Sequence, residues 1–100
     1  MPEMTFTVRW PDGSVDDCYS PSLVMHDHLD PAAVYTVEEF VDRTVAALDE
    51  ASERVRHRFG FACTSAAATK ERVQRTASGF DPYDHVRVLR MHPPLPQESA

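Results

Sequence analysis

One hundred residues carrying a formal net charge of −6 are enough for one domain with a real hydrophobic core and little surplus stability. The acidic total argues against general nucleic-acid binding, which relies on Lys and Arg neutralising phosphates, and nine of the ten bases are arginine, Lys70 being the one lysine. Cys18 and Cys63 lie far apart outside any Cys-x-x-Cys pattern, which fits free thiols better than a disulfide framework.

The charge is unevenly spread. Residues 1–53 hold twelve acids against Arg9 and Arg43, whereas residues 54–100 hold four acids against eight bases. The start, Met1-Pro2-Glu3-Met4, lacks a basic region followed by an apolar run, and no segment approaches the length of a membrane span. The expected setting is therefore cytoplasmic, with no membrane association.

Met4, Phe6, Val8 and Trp10 alternate with Thr5, Thr7 and Arg9, the period of two of a half-buried strand. Pro11-Asp12-Gly13-Ser14 is a turn, since Pro presets one backbone angle, Asp bonds its own backbone and Gly supplies a positive φ. A returning strand from Val15 to Ser20 completes a hairpin. Asp16 and Asp17 make it a poor template for unwanted pairing, which places it at a sheet edge. Ser20-Pro21-Ser22 can open a short helix over Leu23, Val24 and Met25, with Ser20 as N-cap and Pro21 at the first position, or continue extended. Asp30-Pro31 breaks whatever precedes it.

Tyr35 to Gly60 carries a full set of helix instructions. Thr36 and Glu39 form a capping box, and Tyr35 with Phe40 stands at the positions of a hydrophobic staple. Val37, Phe40, Val41, Val45, Leu48, Ala51, Ser52, Val55 and Phe59 recur at spacings of three and four, one face of a helix. Glu38, Glu39 and Asp42 suit the positive end of the helix dipole; Arg54, Arg56, His57 and Arg58 suit the negative end, each by about 0.3–1 kcal/mol. Gly60 supplies a left-handed stop. Thr64 or Ser65 caps a second helix reaching Ser78, closed by Gly79, with a thin apolar face of Ala66, Val73 and Ala77. Asp81-Pro82 turns the chain into a last strand, His85 to Met91, rich in β-branched residues.

The expected fold is α+β: a small mixed three-stranded sheet, made of the N-terminal hairpin and the C-terminal strand, with the long and the shorter helix on one face. The last strand should run parallel to the first. Residues 1–91 form the domain, and residues 92–100 are a Pro-rich, disordered tail. Pro93-Pro94-Leu95-Pro96 matches a polyproline ligand only formally.

Met1-Pro2-Glu3-Met4, Trp10-Pro11-Asp12-Gly13, Cys18-Tyr19-Ser20-Pro21-Ser22, Ala51-Ser52-Glu53-Arg54-Val55-Arg56 and Phe59-Gly60-Phe61-Ala62-Cys63, taken in that order, resemble one small family. It is the nitrogen starvation response family of bacterial proteins encoded beside a nitrilase. The resemblance covers most of the chain to Ser65 and extends more loosely over Val86-Arg87-Val88-Leu89. It implies a gene cluster that also encodes a radical SAM protein, an acetyltransferase, a synthetase-like protein and a flavoprotein, and a role in nitrogen acquisition that takes in nitrile or cyanide assimilation. It supplies no catalytic residues, and His26-Asp27-His28 lies outside its blocks.

His26 and His28 could offer imidazoles to a transition metal if Cys18, Cys63 or Asp27 folded nearby; solvated histidines are the plainer reading, and no metal or cofactor is expected. Cys63 follows the arginines that end the long helix and precedes a helix start, both of which favour thiolate, although small buried cysteines are common core residues. Arg54, Arg58, Cys63, Thr64 and Ser65 together form a candidate anion site, provided the Gly60 turn brings them together; Arg54 pairing with Glu50 is the competing arrangement. Ser20 and Ser22 are a weaker instance of the same idea. Trp10, in phase with Phe6 and Val8, reads as core.

The functional expectation is a non-catalytic accessory or binding protein acting through a protein partner from the same gene cluster, with a homo-oligomer as another candidate. The alternative is a small enzyme or anion binder using Cys63 and the neighbouring arginines. A basic recognition helix is not evident, so a role on nucleic acid is not expected.

Overall fold

The computed structural model describes residues 3–60 and 64–94. Its elements are β1 (Met4–Arg9), β2 (Val15–Ser20), a short 3-10 helix (Leu23–Asp27), β3 (Val34–Thr36), α1 (Val37–Phe59), α2 (Thr64–Ala77) and β4 (His85–His92). The four strands form one sheet in the order β2-β1-β4-β3, and all three pairings are antiparallel. Both helices pack against the same face, α1 over β3 and β4 and α2 over β2. The shortest dimension is 18 Å, room for one sheet and one helix layer.

The sheet thus departs from the expected mixed three-stranded arrangement in two linked ways. After β2 the chain does not enter α1 directly: residues 21–33 carry it to the far edge, where β3 runs in the same direction as β1. This extra strand spends the length of the sheet before the helix starts, so the two helices deliver β4 antiparallel to β1 rather than parallel. β3 consists of only three residues, two of which, Tyr35 and Thr36, also serve the start of α1. Its pairing with β4 is extended by Ala32 donating its amide to the Val88 carbonyl at 2.8 Å and by Val88 donating to the Ala33 carbonyl at 2.9 Å.

The Trp10–Ser14 turn closes as its sequence requires. The Trp10 amide donates to the Ser14 carbonyl, the Asp12 carboxylate accepts from the Ser14 amide and hydroxyl, and Gly13 takes φ 87°. Those two Ser14 bonds, the side-chain one first, hold the Asp12 carboxyl below the usual carboxylate range. The 3-10 helix is capped by Ser22, whose hydroxyl accepts from the Val24 amide, not by Ser20. The Ser20 hydroxyl instead donates to the Ser22 carbonyl.

α1 begins and ends where its signals lie. The Thr36 hydroxyl accepts from the Glu39 amide at 3.1 Å, and Gly60 ends the helix in the left-handed region at φ 79°. The second half of the capping box is not made by Glu39: its carboxylate accepts two bonds from Arg43. Arg43 also donates to the His28 carbonyl and lies 5.0 Å above the Tyr35 ring, tying the crossing segment to the helix. The buried face is Val37, Phe40, Thr44, Ala47, Leu48, Ala51 and Val55. Thr44 and Ala47 are buried at its centre, Val41 packs against the core from its side, Val45 and Ser52 are half-buried, and Phe59 is exposed. On α2 the face is Ala66, Thr69, Val73 and Ala77, whose small side chains let the two helices approach closely.

The core lies between the layers, with Met4, Phe6, Val8, Cys18, Val86, Val88 and Met91 from the sheet meeting Phe40, Leu48 and Val73 from the helices. Trp10 belongs to it: its ring meets Phe40 edge-on at 5.5 Å and stacks on Phe80 at 5.8 Å. Among the described residues, its buried Nε1 and the Thr44 hydroxyl have no hydrogen-bond partner. No helix among the described residues is long and apolar enough to cross a membrane.

Candidate functional site

The face of the sheet opposite the helices is uncovered, and the strand register decides what it displays. Alternation places Thr5, Thr7 and Arg9 of β1 on it. Pairing then sets Tyr19 opposite Thr5, Asp17 opposite Thr7 and Val15 opposite Arg9. On the other side, His92 stands opposite Thr5, Arg90 opposite Thr7 and Arg87 opposite Arg9, with Val34 next to Arg87 at the edge. Rows therefore run across the sheet, the fullest being Val15, Arg9, Arg87 and Val34.

A β-bulge in β4 makes this display possible. Between Thr7 and Val8 the register skips one residue of β4, Leu89. In a regular strand, positions three apart point to opposite faces. The inserted residue restores them to one face, so Arg87 and Arg90 are both exposed on the open side while Val88 and Met91 are both buried.

The middle of the face is a shallow depression of about 290 Å³ lined by Thr5, Thr7, Asp17, Arg90 and His92. The Thr7 hydroxyl donates to the Asp17 carboxylate at 2.6 Å and accepts from Arg90 Nε at 3.4 Å, which buries Thr7 although it faces the open side. Arg9, Arg87 and Arg90 outnumber the carboxylates beside them, Asp17 and Glu3, the latter accepting from the Tyr19 hydroxyl at 3.1 Å. The helix layer has the opposite character, with Glu38, Glu39, Asp42, Asp49, Glu50 and Glu53 exposed along α1. The −6 chain thus has a basic face.

The residues singled out from sequence lie elsewhere. Arg54 Nη2 is 3.7 Å from the Glu50 carboxylate, the competing arrangement to an anion site, and the Arg58 guanidinium stands 6.0 Å from the centre of the Phe59 ring. Thr64 and Ser65 are exposed at the start of α2. Cys63, with Phe61 and Ala62, lies outside the described residues, as do residues 95–100 of the expected tail. His92 is the last residue of β4, and the Pro93 carbonyl lies 2.9 Å from His26 Nε2.

His26 and His28 do not converge. His28 Nε2 faces the Glu50 carboxylate at 3.8 Å, away from the Pro93 contact of His26. Among the described residues no three His, Cys, Asp or Glu side chains gather where they could hold a metal ion. Cys18 is sealed in the core. Burial, then the neighbouring Asp16 charge, pushes its thiol up to about 12, against the opposing pull of Arg72, which keeps it protonated at neutral pH. Arg72 serves the edge strand instead, meeting the Asp16 carboxylate at 3.3 Å and donating to the Asp17 carbonyl at 2.8 Å, which covers part of an otherwise open β edge.

Arg87, Arg90 and His92 are not among the candidates that the sequence offers, and Arg9 stands out there only by its strand phase. The signal for the first three is a broken alternation: Val86, Val88 and Met91 are spaced two and then three apart, which in a strand with one buried face calls for a bulge.

The family model for the nitrogen starvation-induced protein NitG matches residues 5–91. No curated protein and no solved structure matches the chain. The match runs from the second residue of β1 to the penultimate residue of β4, taking in all four strands and both helices. The chain belongs to the family of nitrogen starvation-induced proteins NitG.

Proposed function

We propose that this nitrogen starvation-induced protein is a non-catalytic accessory protein that works in the cytoplasm through a protein partner, another product of the nitrilase-containing cluster implied by its family resemblance. The observation that carries this reading is the sheet with one face left uncovered, where exposed Val15 and Val34 flank charged side chains. A face of this breadth, with a shallow depression in place of an enclosed cavity, suits a protein surface better than a small substrate, which is held in a concave and mostly apolar pocket. Among the described residues, several groups that chemistry would call on have other partners: Cys18 lies in the core, Arg54 and His28 face Glu50, and His26 meets the Pro93 carbonyl.

The test is co-purification of the tagged chain, expressed together with the proteins encoded beside it. Recovery of one of them in stoichiometric amount supports the reading, and reproducible failure to recover any of them sinks it.

A further inference from the structure

We propose that the open face of the sheet docks an acidic segment of a partner protein, with Arg9, Arg87 and Arg90 receiving its carboxylates between the apolar edges Val15 and Val34. The inference rests on the accessory reading and names the surface and the chemistry of the partner.

Three observations converge on it. Arg9 and Arg87 stand directly opposite each other in the β1–β4 pairing, an arrangement of like charges that weakens a sheet. Folding alone gives no reason to keep it. The chain provides carboxylates for four of its nine arginines, pairing Arg43 with Glu39, Arg54 with Glu50, Arg72 with Asp16 and Arg75 with Glu71, while among the described residues Arg56 and Arg58 on α1 have none. Among the described residues Arg9 and Arg87 have no such partner, in a chain with sixteen acids. Finally, the Leu89 bulge turns Arg90 to the same side as Arg87, adding a third guanidinium. Thr7 contacts its Nε at 3.4 Å and leaves the two Nη groups for a planar carboxylate.

The row chemistry favours a protein segment over nucleic acid. No lysine lies on the face, and valines bound the fullest row at both ends, where a nucleic-acid surface would extend the positive charge along the phosphate backbone. A second copy of the chain could bring its acidic α1 to this face. That contact joins two different surfaces, leaves one of each unsatisfied and grows without closing unless a ring forms, so a separate partner is the better occupant.

Titration with an acetylated octaglutamate peptide, followed by amide NMR at low ionic strength, tests the face directly. The expected shifts lie in residues 5–9 and 85–92, fade with added salt, and require at least about tenfold more peptide in Arg87→Gln/Arg90→Gln. Arg54→Gln serves as the control that leaves the titration unchanged, and circular dichroism checks that each variant is folded. Shifts confined to other surfaces, no shifts at all, binding of an eight-nucleotide oligothymidylate in preference to the peptide, or self-association that alone accounts for the shifts would each overturn the proposal. Co-purification separates the two readings. A partner recovered equally well by wild type and by Arg9→Gln/Arg87→Gln/Arg90→Gln removes the docking face and leaves the accessory role standing, whereas recovery of no partner by wild type removes both.

Discussion

Arg9 and Arg87 face each other across the β1–β4 pairing, both exposed, at the centre of a row bounded by Val15 and Val34. Opposed like charges destabilise a strand pair by up to about 1 kcal/mol. Arg87→Gln should therefore leave the free protein as stable as wild type or raise its stability by a few tenths of a kcal/mol. The gain should be larger at low ionic strength, where the repulsion is least screened. Urea midpoints at two salt concentrations check it; a variant clearly less stable than wild type at low salt would show that Arg87 has a structural partner.

The bulge makes a second case. Deleting Leu89 from β4 leaves Arg87, Val88, Arg90 and Met91 in strict alternation, so the strand becomes regular with Arg90 still on the open face and Met91 still in the core. Leu89 is only partly buried, and its deletion and Leu89→Ala should each cost about 1–2 kcal/mol or less. Thermal melts of the two variants side by side check this; collapse of the deletion variant alone would show that the bulge itself is needed for the fold.

Cys18 gives a pH signature. Its thiol is raised from the ordinary value of 9.0 to about 12, first by burial and then by Asp16. Below pH 9 the thiol is protonated in both folded and unfolded states and contributes no pH dependence. As pH rises from 9 toward 12 the unfolded chain loses the proton and the folded chain keeps it, so stability falls across that window. Cys18→Ala should remove that part of the slope, so its stability deficit at neutral pH should shrink as pH rises toward 11. Chemical denaturation of both proteins from pH 7 to 11 measures the difference. In native protein at pH 8, Cys18 should also resist alkylation.

The ends of α1 give two further expectations. Thr36→Ala removes the hydroxyl that accepts from the Glu39 amide and should cost about 1 kcal/mol. At Gly60 an added Cβ meets nothing within 4 Å among the described residues, and backbone strain at φ 79° sets the penalty of Gly60→Ala at about 1–2 kcal/mol. Trp10→Ala, which empties the space between Phe40 and Phe80, should cost more than either, about 3–5 kcal/mol. Thermal midpoints in this order would confirm that the aromatic cluster, not the caps, holds the layers together.

Cys63→Ser distinguishes the accessory reading from a thiol-dependent one. Partner recovery should be unchanged, with stability either unaffected or lowered. Loss of function in a variant that folds with undiminished stability would favour the small-enzyme reading.

Long, locally encoded elements were legible from the sequence. α1 announces itself through Thr36, the spacing of Phe40, Leu48, Ala51 and Val55, and Gly60, all of which act within a few residues of where they stand. β1 and the Pro11–Ser14 turn are equally local. β3 was not legible because Val34, Tyr35 and Thr36 form a strand only by pairing with Arg87, Val86 and His85, about fifty positions away. Missing it reversed the expected direction of β4. The uncovered face is still less local, since it exists only once the register of β1, β2 and β4 is set. The arginines that stand together in the sequence are those at the end of α1, while Arg9 and Arg87, far apart in the chain, are the pair that the fold brings together.

Side-chain footprinting by carbene labelling, of the chain alone and in complex with its co-purified partner, tests the central claim most directly. Labelling should fall on binding at Val15, Val34, Arg87 and Arg90 and persist on the outer side of α1 and α2. Protection of the helix layer, with the sheet face labelled as heavily in the complex as in the free chain, would contradict it.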